Sequence, residues 1–390
     1  MKTTKTMKFS TMSIFIISAL ATFAIFLSAC NEDPLESEIS AVDTKTAILQ
    51  ASGTDLSIMA NKFVVNVKNQ GAVGDGVTDD TQAFQRAVDK AADTAAFYKT
   101  TAQVFVPKGT YLIDPLVSIN MRSNVHLNMI DTQRVLLAKP NDSARYYVIK
   151  MKNISNAKII GGKIIGDRFE HIVTDSCNMG EHGMGIGIYS CYNARVEGTH
   201  IINCWGDGIT VGRRKNHGAI NPSKNCVIDN VVCDNNRRQG LTIGTVDSLI
   251  VKNSTFTNTY GTDPMDGIDI EPDWGGTAQY VHITNCLIGK NCGNGIEMNA
   301  KKKPTNPYAY VKNITVEQCV IYENMHPFYL LNTENVEFIE NTFKDNRYGG
   351  KAEESNYNTI FVGNDTIDTP AFYVKCEEKE KEKEKEDKCA

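Results

Sequence analysis

The sequence predicts an all-β solenoid of short parallel strands stacked coil upon coil, with a helix capping its amino-terminal end. Three observations predict it. First, the phrase Gly-apolar-polar-apolar recurs as Gly185-Ile186-Gly187-Ile188, Gly208-Ile209-Thr210-Val211, Gly240-Leu241-Thr242-Ile243, Gly267-Ile268-Asp269-Ile270 and Gly295-Ile296-Glu297-Met298. Second, equivalent positions 187, 210, 242, 269 and 297 are spaced by roughly 23 to 32 residues, a period that suits one coil per repeat. Third, every copy alternates apolar and polar residues, the pattern of a short strand with one buried face.

Residues 1–29 read as an export leader, with a basic start (Lys2, Lys5, Lys8), an apolar stretch from about Met12 to Leu27, and then Leu27-Ser28-Ala29-Cys30. The last four residues resemble a bacterial lipobox, which implies lipidation of Cys30. Glu32, Asp33, Glu36 and Glu38 follow and resemble the export signal of surface lipoproteins in some Gram-negative bacteria. The expected location is therefore the outer membrane or cell surface, with the lipid on Cys30 as the membrane contact. Residues 30–60 are polar and aperiodic, a tether. Residues 61–370 hold the solenoid, and residues 371–390, mostly Glu and Lys, form a charged low-complexity tail.

At the start of the solenoid, Phe63-Val64-Val65-Asn66-Val67 alternates as a strand and leads into Gly71-Ala72-Val73-Gly74-Asp75-Gly76-Val77-Thr78-Asp79-Asp80-Thr81-Gln82-Ala83-Phe84-Gln85. The glycines permit a tight turn, and Thr78, Asp79 or Asp80 can cap a helix over about residues 79–92. Ala83, Phe84, Ala87, Val88 and Ala91 line one face of that helix, which would cover the first coil and its open strand edges. This run resembles the amino-terminal signature of right-handed parallel β-helix proteins of the pectate-lyase-like superfamily. Val104-Phe105-Val106-Pro107-Lys108-Gly109-Thr110-Tyr111 and Gly161-Gly162-Lys163-Ile164-Ile165-Gly166 are similar to the segments that follow in such chains. The resemblance spans about residues 60–350 and implies a right-handed parallel β-helix. The activities it implies range over hydrolases, lyases and epimerases.

Further along, Asn230, Asn253, Asn285 and Asn341 stand at the corner after a second strand of each coil, where asparagine accepts a left-handed backbone and bonds along the stack. Of the eleven cysteines, Cys204, Cys233, Cys286 and Cys319 recur once per coil beside apolar residues and read as small buried hydrophobes. A net charge of −5 argues against nucleic acid as a partner.

The polar face of the repeat turns acidic in two neighbouring coils. Asp269 and Glu271 share one face of a strand, with backbones about 6.5 to 7 Å apart, and Glu297 lies beside Asp269 on the next coil at about 4.8 Å. Asp266 holds the position before the glycine that Asp207, Gln239 and Asn294 hold elsewhere. Carboxyl groups this close cannot all ionise cheaply, so one becomes a proton donor, and paired carboxylates are the machinery of glycoside hydrolysis. The expected catalytic group is therefore Asp266, Asp269, Glu271 and Glu297, with no cofactor. The alternative chemistry places Ca²⁺ on Asp269, Glu271 and Glu297, for a polysaccharide lyase or uronate epimerase.

Loops leaving the repeat strands wall this face. They carry Arg213, Trp274, Lys301 and Tyr308, which together with Asp207, Arg237 and Arg238 form the expected substrate contacts: aromatic faces for sugar rings, cations for an acidic glycan. Met265-Asp266-Gly267-Ile268-Asp269 is similar to the Asn-Thr-Asp-Gly-Ile-Asp strand of polygalacturonase-like hydrolases, which implies a catalytic role for Asp266. Tyr260-Gly261-Thr262-Asp263-Pro264-Met265-Asp266 resembles the Tyr-Gly-Phe-Asp-Pro-His-Glu segment of alginate C5-epimerases, with Met265 where that segment has its catalytic histidine. The expected function is a glycoside hydrolase acting on an extracellular, acidic polysaccharide. The alternatives are the lyase or epimerase and a non-catalytic, adhesin-like glycan-binding protein.

Overall fold

The computed structural model describes residues 63–173, 180–213, 221–272, 275–300, 310–353 and 356–367. The chain divides after Lys62, and the second unit, from Phe63, is the one described below. The leader, Cys30, the tether and the charged tail lie outside the described residues, as do Trp274, Lys301 and Tyr308.

From Val64 onward the chain winds as a right-handed parallel β-helix. Its strands fall into three sheets, two of eleven strands and one of nine, and each strand pairs in parallel with its counterparts one coil before and after. A coil visits the sheets in a fixed order, for example Arg195–Glu197 in the first, His200–Ile202 in the second and Asp207–Gly212 in the third. Inward side chains of all three make one continuous core, in which Ile186, Ile209, Leu241, Ile268 and Ile296 stack at 0% exposure.

The repeated glycine exists because the coils touch. A Cβ on Gly208 would lie 2.7 Å from the Gly240 carbonyl oxygen, one on Gly240 2.6 Å from that of Gly267, and one on Gly267 2.8 Å from that of Gly295. No side chain fits under a neighbouring carbonyl at that range, so the corner into the third sheet takes glycine coil after coil.

The capping helix runs from Thr81 to Tyr98, six residues past the expected end, and stops at Lys99 in a left-handed conformation. Its face of Ala83, Phe84, Ala87, Val88, Ala91 and Ala95 is buried against the strands Val64–Asn66, Ala102–Phe105 and Val125–Asn128. Of the expected caps, Asp79 takes the first helical N–H, with Thr81 N donating to Oδ1 at 3.0 Å. Asp80 instead turns back to receive Val73 N at 2.6 Å and Gly74 N at 2.9 Å, closing the glycine turn. At the other end Phe338 and Phe361 stack with centroids 5.1 Å apart, and Phe328 and Phe343 lie against Phe338.

The corner between first and second sheets is left-handed at Asn230, Asn253 and Asn285, with φ of 52°, 52° and 53°. One coil differs from expectation. Glu340 takes the left-handed corner (φ 52°), and Asn341 turns inward, where its side-chain amide donates to Val316 O at 2.9 Å. The thiols of Cys204, Cys233, Cys286 and Cys319 are free and buried, as their spacing predicts.

Candidate active site

The outward residues of the third sheet form columns that run across its strands. In one, Lys150, Gly187, Thr210, Thr242, Asp269, Glu297 and Tyr329 stand side by side in register. In the next, Lys152, Tyr189 and Gly212 are neighbours. A cleft of about 670 Å³ lies over this face. Its acids are Asp207 and Glu271, its cations include Arg213 and Arg238, and its amino-terminal wall is built by the strands Arg145–Lys152 and His182–Tyr189.

Asp207 is fully buried at the cleft floor and fixed from several sides. Arg238 Nη1 donates to its two oxygens at 3.2 and 3.3 Å, Thr242 Oγ1 at 2.7 Å and Thr210 Oγ1 at 3.0 Å. The Arg238 guanidinium also donates to Gln239 Oε1 at 3.0 Å, and Gln239 Nε2 in turn donates to Asp269 Oδ2 at 2.5 Å. A chain of bonds therefore runs from Arg238 through Gln239 to Asp269. It leaves Asp269 Oδ1 buried and, among the described residues, without a donor.

Burial, then the nearby Glu271 and Glu297 carboxylates, push the Asp269 carboxyl well above the ordinary carboxylate range, against the opposing pull of Arg238 and Gln239. Asp266 is raised too, by burial first and then by Glu297 and Asp269. It sits at 0% exposure with Oδ1 receiving Asn294 N at 2.5 Å, in a space left by Gly293, whose Cβ would lie 2.4 Å from that oxygen. Among the described residues its second oxygen is buried without a donor. Glu297 is held in turn by Asn294 Nδ2 and Asn299 Nδ2, each at 3.0 Å.

The four acids expected to act together are thus divided. Glu271 lines the cleft just past the end of the strand Ile268–Ile270, while Asp269, Asp266 and Glu297 lie outside its lining. Asp266 is corrected from a substrate-facing acid to an interior one, since it is 0% exposed and does not line the cleft. Arg237 is corrected from a substrate contact as well. Its guanidinium lies 4.0 Å over the Trp205 ring and donates to Gly180 O at 3.1 Å, leaving the residue 1% exposed. The calcium set is corrected too. Asp269, Glu271 and Glu297 do not converge, and among the described residues no group of three His, Cys, Asp or Glu side chains could hold a metal ion. Asp207, Arg213 and Arg238 do line the cleft.

Arg145, Tyr147, Lys150 and Lys152, which line the cleft on a strand that lacks the glycine phrase, escaped the sequence reading; His182 lines it at the entry to the first strand that has the phrase. Their signal was the alternation of Arg145-Tyr-Tyr-Val-Ile-Lys-Met-Lys152, which puts Tyr147, Lys150 and Lys152 at half-buried positions. His182 is kept neutral by burial and by the neighbouring Arg145 charge, which lower its pKa against the pull of Asp207.

A family model described as rhamnogalacturonase A/epimerase, pectate lyase-like, matches residues 64–297, and one described as right handed beta helix region matches residues 266–374. The Bacillus subtilis protein YclG is 31% identical over 253 residues, covering 59% of this chain and 41% of YclG. The chain thus spans less than half the length of that relative. The amino-terminal fragment of bacteriophage phi29 gene product 12 superposes with a TM-score of 0.60 at 18% identity, over 77% of this chain and 57% of that one. The family 28 exopolygalacturonase of Yersinia enterocolitica gives a TM-score of 0.53 at 16% identity, over 80% and 67%. These two likenesses concern the fold alone. With the first family model spanning more than half of its residues, the chain belongs to the rhamnogalacturonase A/epimerase, pectate lyase-like family.

Proposed function

We propose that the chain is a glycoside hydrolase that cleaves an acidic extracellular polysaccharide in the cleft over the third sheet. The observation that carries this reading is the pairing of Asp269, a buried carboxyl raised in pKa, with Glu271, a cleft-lining acid two residues later, just past the end of the strand Ile268–Ile270. In this reading Asp269 donates its proton to the glycosidic oxygen as the C–O bond breaks. Glu271 takes a proton from the water that adds to the sugar carbon, and the two acids end with their protons exchanged. Arg238 fixes Asp207 and Gln239, and through Gln239 the orientation of Asp269.

One observation favours a second reading. His182 is neutral and shares the cleft with Tyr189 and several cations, a set able to neutralise a uronate carboxylate and remove the proton beside it. That chemistry is the β-elimination or epimerisation of a uronate polymer. The leader and Cys30 support a lipid-anchored protein at the cell surface, which loss of lipid labelling in a Cys30→Ser variant would test.

The experiment is incubation with plant, algal and host polysaccharides, with and without EDTA, reading reducing ends and ultraviolet absorbance together. Reducing ends without absorbance, lost in Asp269→Asn and Glu271→Gln, are the expected result. Absorbance rising with the ends gives the reaction to elimination, and affinity without any product gives the cleft to binding alone.

A further inference from the structure

We propose that the amino-terminal end of the cleft is a binding subsite for a sugar residue bearing an anionic group, carboxylate or sulfate. The Tyr147 and Tyr189 rings lie beneath the sugar, and Lys150, Lys152 and Arg145 surround its charge. The proposal rests on the reading that the cleft takes a glycan, and it adds the position and chemistry of one contact.

The floor of this subsite is built around a missing side chain. Gly187 pairs with Lys150 on the neighbouring strand, and a Cβ there would lie 2.7 Å from Tyr147 Cδ1 and 2.8 Å from Tyr189 Cε2. Without it the two rings close over the glycine edge to face, with centroids 5.7 Å apart and planes at 79°. Both tyrosines are half-buried, so ring surface remains open to the cleft, and such surface stacks on the C–H face of a pyranose.

The wall is a set of cations. Lys150 places its ammonium 4.8 Å from the centroid of Tyr147, and Lys152 follows two residues later at a second half-buried position. Burial and then the Lys152 charge lower the Lys150 pKa, so the two repel where water screens poorly. Among the described residues neither lysine nor Arg145 pairs with a carboxylate. The buried acid Asp207 on this floor is already engaged by Arg238, Thr210 and Thr242. An anion held between the lysines removes their repulsion, and a neutral glycan does not.

The test titrates four probes onto the full chain carrying Asp269→Asn, with wild-type turnover scored separately, so that a failed catalytic assignment does not count against the subsite. The probes are polygalacturonate and its full methyl ester, and dextran sulfate and dextran. At least one charged probe should bind about tenfold or more tighter than its neutral partner, and the pair that discriminates identifies carboxylate or sulfate. Added salt should weaken that binding. Lys150→Ala/Lys152→Ala should erase the preference with an unchanged melting temperature, and Lys152→Glu should reproduce the loss at a position that tolerates a charge. Equal affinity for charged and neutral partners, no binding of either charged probe, or undiminished preference in both lysine variants would overturn the proposal.

Discussion

Asp269 and Glu297 stand opposite each other on neighbouring strands, the first buried and bonded to Gln239, the second held between Asn294 and Asn299. The Glu297 carboxylate raises the cost of charge on Asp269, and on Asp266 as well, in both cases after burial. Asp266 and Asp269 are pushed up first by burial and then by acids that face them across the sheet as well as along the chain.

Stability should therefore depend on pH in an unusual direction. Asp266 and Asp269 are raised above the ordinary aspartate range, so folding takes up protons at these sites. Their stabilising contribution is complete below about pH 4 and is lost as pH rises through the raised values. Asp266→Asn keeps the shape without the charge. Its melting temperature should exceed that of wild type at pH 8, by about 2–4 °C per kcal/mol of relieved cost, and the gap should close toward pH 4. Calorimetry across that range checks it, and a gap that widens on acidification would reverse the assignment.

The glycine column makes a positional prediction. Gly240→Ala forces a Cβ to 2.6 Å from the Gly267 carbonyl oxygen and should destabilise by about 1–3 kcal/mol, or more if the strand must shift. Gly244→Ala, whose nearest neighbour would be Val211 O at 3.5 Å, should unfold within about 0.5 kcal/mol of wild type. Denaturant melts of the two variants side by side provide the comparison.

Neighbouring arginines should behave differently. Arg237→Ala removes a buried side chain that covers Trp205, and should cost about 3 kcal/mol or more of stability. Arg238→Ala should instead reduce turnover, because Asp207 loses its ion pair and Gln239 its anchor below Asp269. Equal thermal losses and equal activity losses would remove the distinction.

A buried amide ladder carries a further prediction. Asn291 accepts Thr259 N at 3.0 Å and donates to Asn324 Oδ1 at 2.9 Å, both inside the stack. Asn291→Ala should cost about 1–3 kcal/mol by leaving the Thr259 N–H unsatisfied, with no change in glycan affinity.

The solenoid was legible because its rules are local. Glycine under a carbonyl and asparagine at a left-handed corner are each set by one coil against the next, and both print at the coil spacing. Glu340 shows the limit, since a corner that also accepts glutamate hides beside an asparagine that has turned inward. The acidic coils were visible by composition, but burial divided them: a position before the glycine reads the same whether it faces the cleft, as Asp207 does, or the interior, as Asp266 does. Lys150 was missed because the wall of the cleft begins on a strand that does not carry the repeated phrase.

The contact between Gly208 and the Gly240 carbonyl, repeated up the stack, separates what this architecture must keep from what it can change. The corner is spent on closeness of approach, while two residues later Thr210, Thr242, Asp269 and Glu297 occupy equivalent places with unlike chemistry. A substitution at those places alters the surface offered to a ligand without disturbing the winding beneath it. New specificities can accumulate on such a face one coil at a time, on a frame that stays the same.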